Sequence, residues 1–203
     1  MNPQQEQKIR GIVLDWAGTI VDFGSLAPMG AFVALFARHH VDISIAQARI
    51  PMGLPKIDHI VALASLPKVA HQWRSHYGRS FQFKDAQNLL LEFEPMSAHA
   101  ALERSDFIPG FMSAYRELTA QGIGFATTTG YTRKIMNPLI ERAAAQGFHP
   151  ALVVCCDDVA RSRPDPMGML LCQQAMGLAD QASAVIKIDD TAPGLAEGLA
   201  ASC

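Results

Sequence analysis

The sequence predicts an α/β fold of the Rossmann-like type, in which a parallel sheet carries an inserted set of helices. Short apolar segments alternate with helix-like segments through the second half of the chain, which is typical of parallel strands joined by helical crossovers. One more apolar segment, residues 12–15, stands alone near the start. Residues 23–102, which separate it from the alternating half, show helical patterns and no convincing strand alternation.

The predicted strands are short, apolar and followed by polar residues. They are expected at residues 12–15, 123–130, 151–156 and 184–190. Helices are expected at residues 27–40, 85–94, 109–122, 134–147 and 166–177. The segment 109–122, for example, has a proline near its start and ends in a glycine, as helices commonly do. Because parallel strands end at one edge of a sheet, the polar residues that follow them are expected to converge there.

The positions of these segments predict two domains. A core domain is expected to combine residues 1–22 with residues 103–203, and a helical cap domain is expected to comprise residues 23–102. In this arrangement the cap covers the carboxyl edge of the sheet. A single mixed domain is the alternative.

Composition excludes several classes of function. The chain has 203 residues, a net charge of −2 at pH 7 and no basic block, so neither nucleic acid nor an anionic membrane is expected as a partner. No apolar run resembles a signal peptide or reaches transmembrane length, and we expect a cytoplasmic location. The four cysteines have no metal-type spacing, and the adjacent Cys155 and Cys156 are interpreted as reduced core thiols.

Polar residues suited to phosphoryl transfer follow three of the predicted strands. They are Asp15, Thr128, Thr129, Asp189 and Asp190. A carboxylate can attack phosphorus while a hydroxyl holds the other phosphorus oxygens, and further carboxylates can bind Mg²⁺. Each residue alone is a weak signal, because an aspartate after an apolar strand is more often a turn or cap residue. Their occurrence together, in this order along the chain, is a much stronger indication of phosphoryl transfer.

These residues form a recognisable series once a cation is added. The series is Asp15, Gly18 and Thr19 in the pattern D-x-x-G-T, then Thr129, Arg163, and Asp189 with Asp190. A series of this kind resembles the haloacid dehalogenase superfamily. The resemblance implies a Rossmann-like core with an inserted cap, an aspartate nucleophile and a bound Mg²⁺.

Four longer strings make the resemblance narrower. They are DWAGTIVD (15–22), RIPMGLPKIDHI (49–60), TTGYTR (128–133) and RPDP (163–166). Together they resemble the phosphonoacetaldehyde hydrolases, or phosphonatases, a family within that superfamily. The resemblance implies that a small-molecule phosphonate, phosphonoacetaldehyde, is cleaved at its carbon–phosphorus bond to acetaldehyde and phosphate.

The same resemblance explains why Ala17 stands two residues after Asp15, where phosphatases of the superfamily have a second acid. Lys56 is implied to form an imine with the aldehyde, so that the electrons of the broken bond flow into the iminium. No acid is then needed to protonate a leaving oxygen. Asp15 is implied to become a phosphoaspartyl intermediate. Lys56 must be partly neutral to react, so burial or nearby cations must lower its pKa.

Three residues close to Lys56 in the sequence are implied to assist it. His59 would share a helix face with Lys56 and move protons, and Met52 and Gly53 would provide an apolar, closely packed surrounding. An isolated K-x-x-H string is more often a solvated lysine beside a packing histidine. Within the complete string, the functional interpretation is favoured.

The resemblance implies the remaining site residues as well. Thr129 and Arg163 join the catalytic set, where the threonine holds phosphate and the arginine orients nucleophile and phosphate. The implied substrate-binding residues are Gly18, Thr19, Gly53, Thr128, Gly130 and Tyr131. The implied Mg²⁺ ligands are Asp15, the carbonyl of Ala17 and Asp190. Many superfamily members have a further acid at the position of Gly194. Because glycine cannot bind the metal through a side chain, Asp189 is implied to share this role.

Two alternatives to this function stay open, namely a phosphatase that acts on a small phosphate ester and a relative that catalyses nothing. The resemblance also implies a homodimer formed through the cap.

Relatives have a fifth core strand after the segment that matches this sequence, so the fourth strand is expected at a sheet edge with unpaired backbone groups.

Overall fold

The computed structural model describes residues 8–203; residues 1–7, which belong to the predicted core range 1–22, lie outside the described residues. The elements are β1 (Gly11–Leu14), α1 (Leu26–Arg38), α2 (Ile45–Arg49), α3 (Lys56–Ser65), α4 (Pro67–Tyr77), α5 (Phe83–Glu103), α6 (Phe111–Ala120), β2 (Gly124–Thr128), α7 (Arg133–Ala145), β3 (Val153–Val154), α8 (Met167–Ala175), β4 (Val185–Ile188) and α9 (Ala192–Ala200). A 3-10 turn, Ala182–Ala184, precedes β4. The helices α1–α5 lie between β1 and β2, and we call residues 23–102 the helical insertion.

The four strands form one parallel sheet in the order β3-β2-β1-β4. Strand β1 is central and every residue in it is buried, which explains its uninterrupted apolar sequence. Leu14 pairs with Thr127 of β2 and with Ile188 of β4, so the three strands end together. The predicted α/β fold with a parallel sheet is therefore confirmed. Among the described strands, β4 and β3 lie at the two edges.

Strand β3 is shorter than the predicted segment 151–156, and hydrogen bonding explains the difference. The backbone N–H of Cys155 donates to the Asp158 carboxylate at 2.7 Å rather than to a neighbouring strand. The N–H of Cys156 then donates to the carbonyl of Tyr131, which lies beyond the end of β2. The chain thus leaves the sheet immediately after Val154.

Helix α5 is longer than the predicted segment 85–94, because Pro95 does not end it. Proline in a helix removes one backbone hydrogen bond. Here the helix continues because Phe93, Ser97 and Ala101 are all buried along one face. Tertiary packing therefore outweighs the local cost of the proline.

Apolar side chains form three clusters in the described part of the chain. One cluster lies wholly within the insertion and includes Phe32, Phe36, Trp73 and Phe93. Two further clusters cover the faces of the sheet. The insertion is not fully separate, because Ala101 of α5 packs in one of the sheet clusters. The exact domain limits stay a prediction.

The insertion and the sheet meet closely at one glycine. Gly53 has φ +93°, and a Cβ built on it would lie 2.6 Å from Cγ of Pro193, at the start of α9. Within the insertion, Nη2 of Arg49 donates to the carbonyl of Gly24 at 2.7 Å, which ties α2 to the segment before α1. The contact of Gly53 with Pro193 holds the loop before α3 against the carboxyl edge of the sheet.

The cysteines behave as the sequence predicts. All four are free, and Cys155 and Cys172 are buried. Burial raises the pKa of each of these two thiols to about 12, so they are protonated packing groups.

None of the helices in residues 8–203 is both long and apolar enough to cross a membrane.

A matched pair of glycine substitutions tests the contact between insertion and sheet. We expect Gly53→Ala to lower the free energy of unfolding, because alanine is strained at this φ and its Cβ meets Pro193. Gly30→Ala on α1 has open space around it and should raise that free energy by about 0.5–1 kcal/mol. Urea unfolding measures both values. Equal effects of the two changes would contradict the contact.

Candidate active site

One pocket lies where the helical insertion meets the carboxyl edge of the sheet. The predicted site residues that line it are Asp15, Ala17, Met52, Gly53, Lys56, Thr129, Gly130, Tyr131 and Arg163. They come from both sides of the pocket, with Lys56 on the insertion and Asp15 on the sheet. The structure therefore brings together residues that are far apart in the sequence.

The other predicted site residues lie just outside this lining. They are Gly18, Thr19, His59, Thr128, Asp189 and Asp190. Gly18 has φ +93°, and a Cβ on it would lie 2.2 Å from Oδ2 of Asp190, so only glycine lets the two approach. The N–H of Thr19 closes a turn onto the carbonyl of Trp16 at 3.2 Å.

Asp15 is buried directly after β1. Its N–H donates to the carbonyl of Ile188 at 3.0 Å, which extends the sheet by one residue and fixes the start of the side chain. Its Oδ1 accepts from Nη2 of Arg163 at 2.8 Å. Burial raises the pKa of Asp15, and the charge of Arg163 opposes that rise. The carboxylate of Asp15 is thus fixed at the end of β1 and paired with a buried cation.

Arg163 is also buried and uses two of its three nitrogens within the protein. Nη2 donates to Asp15 and to the carbonyl oxygen of Thr128 at 2.7 Å, and Nε donates to Oε2 of Glu197 at 3.2 Å. These acids hold the pKa of Arg163 above its ordinary value despite its burial. Nη1 makes no hydrogen bond within the described part of the chain. Arg163 lines the pocket, so its guanidinium lies where an anion could bind.

Thr128 has no hydrogen-bonding capacity left for a substrate. Its hydroxyl donates to Oε2 of Glu197 at 2.8 Å and accepts from Nζ of Lys187 at 2.6 Å and from Nη2 of Arg163 at 2.9 Å. A hydroxyl has one donor and two acceptor positions, and all three are used. Thr129, which follows, lines the pocket instead, and its Oγ1 accepts from the N–H of Tyr131 at 3.2 Å.

Lys187 and Glu197 are site residues that the motifs do not include. Their side chains are each 3% exposed, and their charged atoms lie 3.5 Å apart. One signal in the sequence does mark them: Lys187 is the single charged residue of strand β4, and Glu197 is the single charged residue of helix α9. A charge inside such an apolar or small-residue segment is rarely buried without a partner.

Three carboxylates gather at the edge of the sheet. One oxygen from each of Asp15, Asp189 and Asp190 lies within 4.8 Å of the others. Carboxylate oxygens are the ligands that Mg²⁺ prefers, so these residues fit such an ion. Burial, followed by the charge of Asp15, raises the pKa of Asp190 to about 6. A divalent cation would relieve this repulsion between like charges.

Asp189 is less available to a metal than Asp190 is. Its Oδ1 accepts from the N–H and the hydroxyl of Thr191 at 2.9 and 2.7 Å. Its Oδ2 lies 3.1 Å from Nη2 of Arg163 and 3.2 Å from Nζ of Lys187. The carboxylate also fills the space beside Gly194, where a Cβ would lie 2.1 Å from its carboxyl carbon. Oδ1 of Asp189 is thus held by hydrogen bonds, whereas Oδ2 lies in two ion pairs and accepts no hydrogen bond from the described part of the chain.

Lys56 begins helix α3 and points its amine into an aromatic corner. Nζ lies 5.6 Å from the ring centre of Tyr131 and 6.0 Å from that of Phe32. Removal from water lowers the pKa of Lys56, while Cys156 and Asp15 oppose that shift. The sequence predicts a lysine with a lowered pKa, and the direction of the shift agrees.

His59 lies behind Lys56 on the same helix and is fully buried. Its Nε2 lies 2.8 Å from the carbonyl of Ala48 and must carry the proton, because a carbonyl only accepts. Nδ1 is then an unprotonated nitrogen, and it has no partner among the described residues. Burial and the nearby Lys56 lower the pKa of His59 to about 4, so the ring is neutral at pH 7. It also stacks on Phe32, with ring centres 4.0 Å apart.

Comparison with known proteins agrees with this geometry. Residues 9–202 match the family model of the haloacid dehalogenase-like hydrolases. A phosphonoacetaldehyde hydrolase of Paraburkholderia xenovorans is 42% identical over 191 residues, which cover 94% of this chain and 71% of the relative. One from Pseudomonas fluorescens (strain SBW25) is 38% identical over 198 residues, which cover 98% and 72%.

Comparison with solved structures also finds a protein of this kind. A phosphonoacetaldehyde hydrolase-like protein of Oleispira antarctica has a TM-score of 0.91 and 38% identity, over 95% of this chain and 70% of that one. A β-phosphoglucomutase of Clostridium difficile has a TM-score of 0.72 over 95% of this chain and 81% of that one, but only 15% identity, and shows a shared fold alone.

The lowered pKa of Lys56 has a consequence for stability. The unfolded chain binds this proton more tightly than the folded chain, so the lysine lowers the stability of the fold at pH 7. The penalty is complete below the folded pKa and disappears as the pH rises past the ordinary value, about 10.4. We therefore expect Lys56→Met to be more stable than the wild type at pH 7, by a margin that narrows toward pH 10.

Urea unfolding at several pH values measures this margin. Lys68→Met, at an exposed lysine of α4, is the control and should show no such dependence on pH. A margin for Lys56→Met that stays constant with pH would mean that removal from water does not lower the pKa of this lysine.

Proposed function

The chain belongs to the haloacid dehalogenase-like hydrolases and, within them, to the phosphonoacetaldehyde hydrolase family, and on this basis we propose that it hydrolyses the carbon–phosphorus bond of phosphonoacetaldehyde. The products are acetaldehyde and phosphate. One observation carries the proposal: Lys56 of the insertion and Asp15 of the sheet line the same pocket. An amine for the aldehyde and a nucleophile for the phosphorus then face one small substrate.

The first step is imine formation at Lys56. Its amine attacks the aldehyde carbon, and the oxygen leaves as water. This attack needs a neutral amine, and the lowered pKa of Lys56 supplies a larger neutral fraction at pH 7. The unprotonated Nδ1 of His59, which lacks a partner among the described residues, accepts and returns protons during the step.

The second step is attack by Asp15 on phosphorus. The carbon–phosphorus bond breaks, and its electron pair moves into the iminium to form an enamine on Lys56. The free Nη1 of Arg163 and the hydroxyl of Thr129 hold phosphonate oxygens. Because no oxygen leaves as an alkoxide, no acid is needed at Ala17. This argument favours a phosphonatase over a phosphatase that acts on an ester.

The last steps release both products. Protonation of the enamine carbon and hydrolysis of the resulting imine give acetaldehyde and free Lys56. Water attacks the phosphoaspartyl group, which gives phosphate and restores the Asp15 carboxylate. Asp15, Lys56, Thr129 and Arg163, which these steps use, all line the pocket, and His59 lies one turn further along helix α3 than Lys56.

Mg²⁺ is the proposed cofactor. When bound, it neutralises charge between the nucleophile and the phosphonate dianion. We assign its protein ligands to Asp15, Asp190 and the carbonyl oxygen of Ala17. The hydroxyl of Ser25 donates to that carbonyl at 3.0 Å and fixes its direction. We assign Asp189 to the anchoring of Arg163 and Lys187 rather than to the metal, because Oδ1 accepts two hydrogen bonds and Oδ2 forms an ion pair with each of these cations.

Cytoplasmic location and a homodimer through the helical insertion stay predictions. The chain spans about 70% of the length of the relatives it matches.

Acetaldehyde release tests the proposal directly. The chain with Mg²⁺ and phosphonoacetaldehyde should release acetaldehyde, which coupled NADH oxidation measures. Lys56→Arg keeps a positive charge but cannot form an imine, so release should fall by at least about a thousandfold. Lys68→Arg, at an exposed lysine, should retain full activity. Activity that survives in Lys56→Arg would exclude the imine route.

Substitutions of Asp189 and Asp190 should have different effects on Mg²⁺ binding and on stability. We expect Asp190→Asn to weaken Mg²⁺ binding strongly with little change in folding, because Asp190 belongs to the carboxylate cluster but forms no ion pair within the described part of the chain. Asp189→Asn should lower the melting temperature more than it weakens Mg²⁺ binding, because it leaves Lys187 and Arg163 short of a partner. Titration calorimetry and thermal unfolding measure the two effects. The reverse pattern would assign the metal to Asp189.

A further inference from the structure

Lys187 and Glu197 form a buried pair beneath the nucleophile that the proposed chemistry does not use. They come from strand β4 and helix α9, and neither touches the pocket. Glu197 accepts from Nε of Arg163 and from the hydroxyl of Thr128, and Lys187 donates to that same hydroxyl. The pair thus reaches the site indirectly, through Arg163, Thr128 and Asp189, whose Oδ2 lies 3.2 Å from Nζ of Lys187.

The contacts of Arg163 show what this pair does. A guanidinium is planar, so two of its nitrogens held in place fix the direction of the third. Asp15, Thr128 and Asp189 all meet Nη2, so the position of that nitrogen is well defined. Glu197 holds a second nitrogen, Nε, and thereby fixes the orientation of the whole plane. Arg163 lines the pocket, and Nη1 is its one nitrogen without a hydrogen-bond partner in the described part of the chain.

We propose that Glu197, supported by Lys187, is a positioning residue that aims Nη1 of Arg163 at an oxygen of the phosphonate or of the product phosphate. The inference rests on the proposed function. Lys187 is needed because Glu197 would otherwise add an uncompensated charge to Asp15 and Asp189 in the same buried space. The hydroxyl of Thr128 ties Lys187, Glu197 and Arg163 together.

Binding of inorganic phosphate in the presence of Mg²⁺ tests this inference without turnover. Glu197→Gln keeps the shape of the side chain but loses the charge that Nε meets. We expect the Kd for phosphate to rise about tenfold or more, as for loss of a charge-assisted hydrogen bond. Glu117→Gln, at an exposed residue of α6, should leave the Kd unchanged. Titration calorimetry measures both variants.

A second readout separates positioning from a general loss of structure. Borohydride in the presence of acetaldehyde should trap the imine at Lys56 equally well in the wild type and in Glu197→Gln, because Arg163 takes no part in that reaction. In turnover, the KM for phosphonoacetaldehyde should rise together with the phosphate Kd. Weakened phosphate binding with normal imine trapping supports the inference, and loss of both would indicate a merely structural role.

The possible failures are distinguishable. If wild-type protein with Mg²⁺ binds no phosphate, the proposed function fails and this inference fails with it. If the wild type binds phosphate and Glu197→Gln binds it equally well, the inference alone is wrong. Should Glu197→Gln not fold, the double variant Lys187→Met with Glu197→Met removes both charges together and is expected to fold. Unchanged phosphate binding in that variant would also overturn the inference.

Discussion

The site depends on a balance of buried charges at the carboxyl edge of the sheet. Asp15, Asp189 and Glu197 provide three carboxylates, and Arg163 and Lys187 provide two cations, all with nearly buried side chains. Such charges are tolerated away from water only when each has a partner of opposite sign. One negative charge is left over, and the neighbouring Asp190 adds to it. This excess of negative charge fits the binding of a divalent cation, and it adds to burial, which is the main cause of the raised pKa of Asp190.

The helical insertion supplies the part of the chemistry that the sheet lacks. An aspartate at the end of β1 can attack phosphorus, but Ala17 gives no acid for a leaving group. In the proposed mechanism, Lys56 replaces that acid with an electron sink, and it does so from the opposite wall of the pocket. The close contact between Gly53 and Pro193 therefore matters for function as well as for packing. A substitution that disturbs this contact would move the amine of Lys56 relative to the carboxylate of Asp15.

The sequence predicted much of this site because its motifs follow strands. Asp15 and Asp190 were placed correctly once the strands were recognised, since parallel strands end at one edge. The limits of β3 and α5 were less predictable, because a side-chain acceptor at Asp158 and burial around Pro95 set them. Glu197 was missed for a related reason. It lies 69 residues from Thr128 and 34 from Arg163 in the sequence, so no local pattern connects them.

The state of Lys56 links the two parts of the molecule. Its pKa is lowered chiefly because the amine is removed from water, and the groups around it come from both sides of the pocket. Phe32 belongs to the insertion, whereas Tyr131 follows β2 of the sheet. An amine that met only the insertion would be better solvated and more fully protonated. The proposed reactivity of Lys56 toward an aldehyde therefore depends on the seating of the insertion on the sheet, where Asp15 and Arg163 line the same pocket.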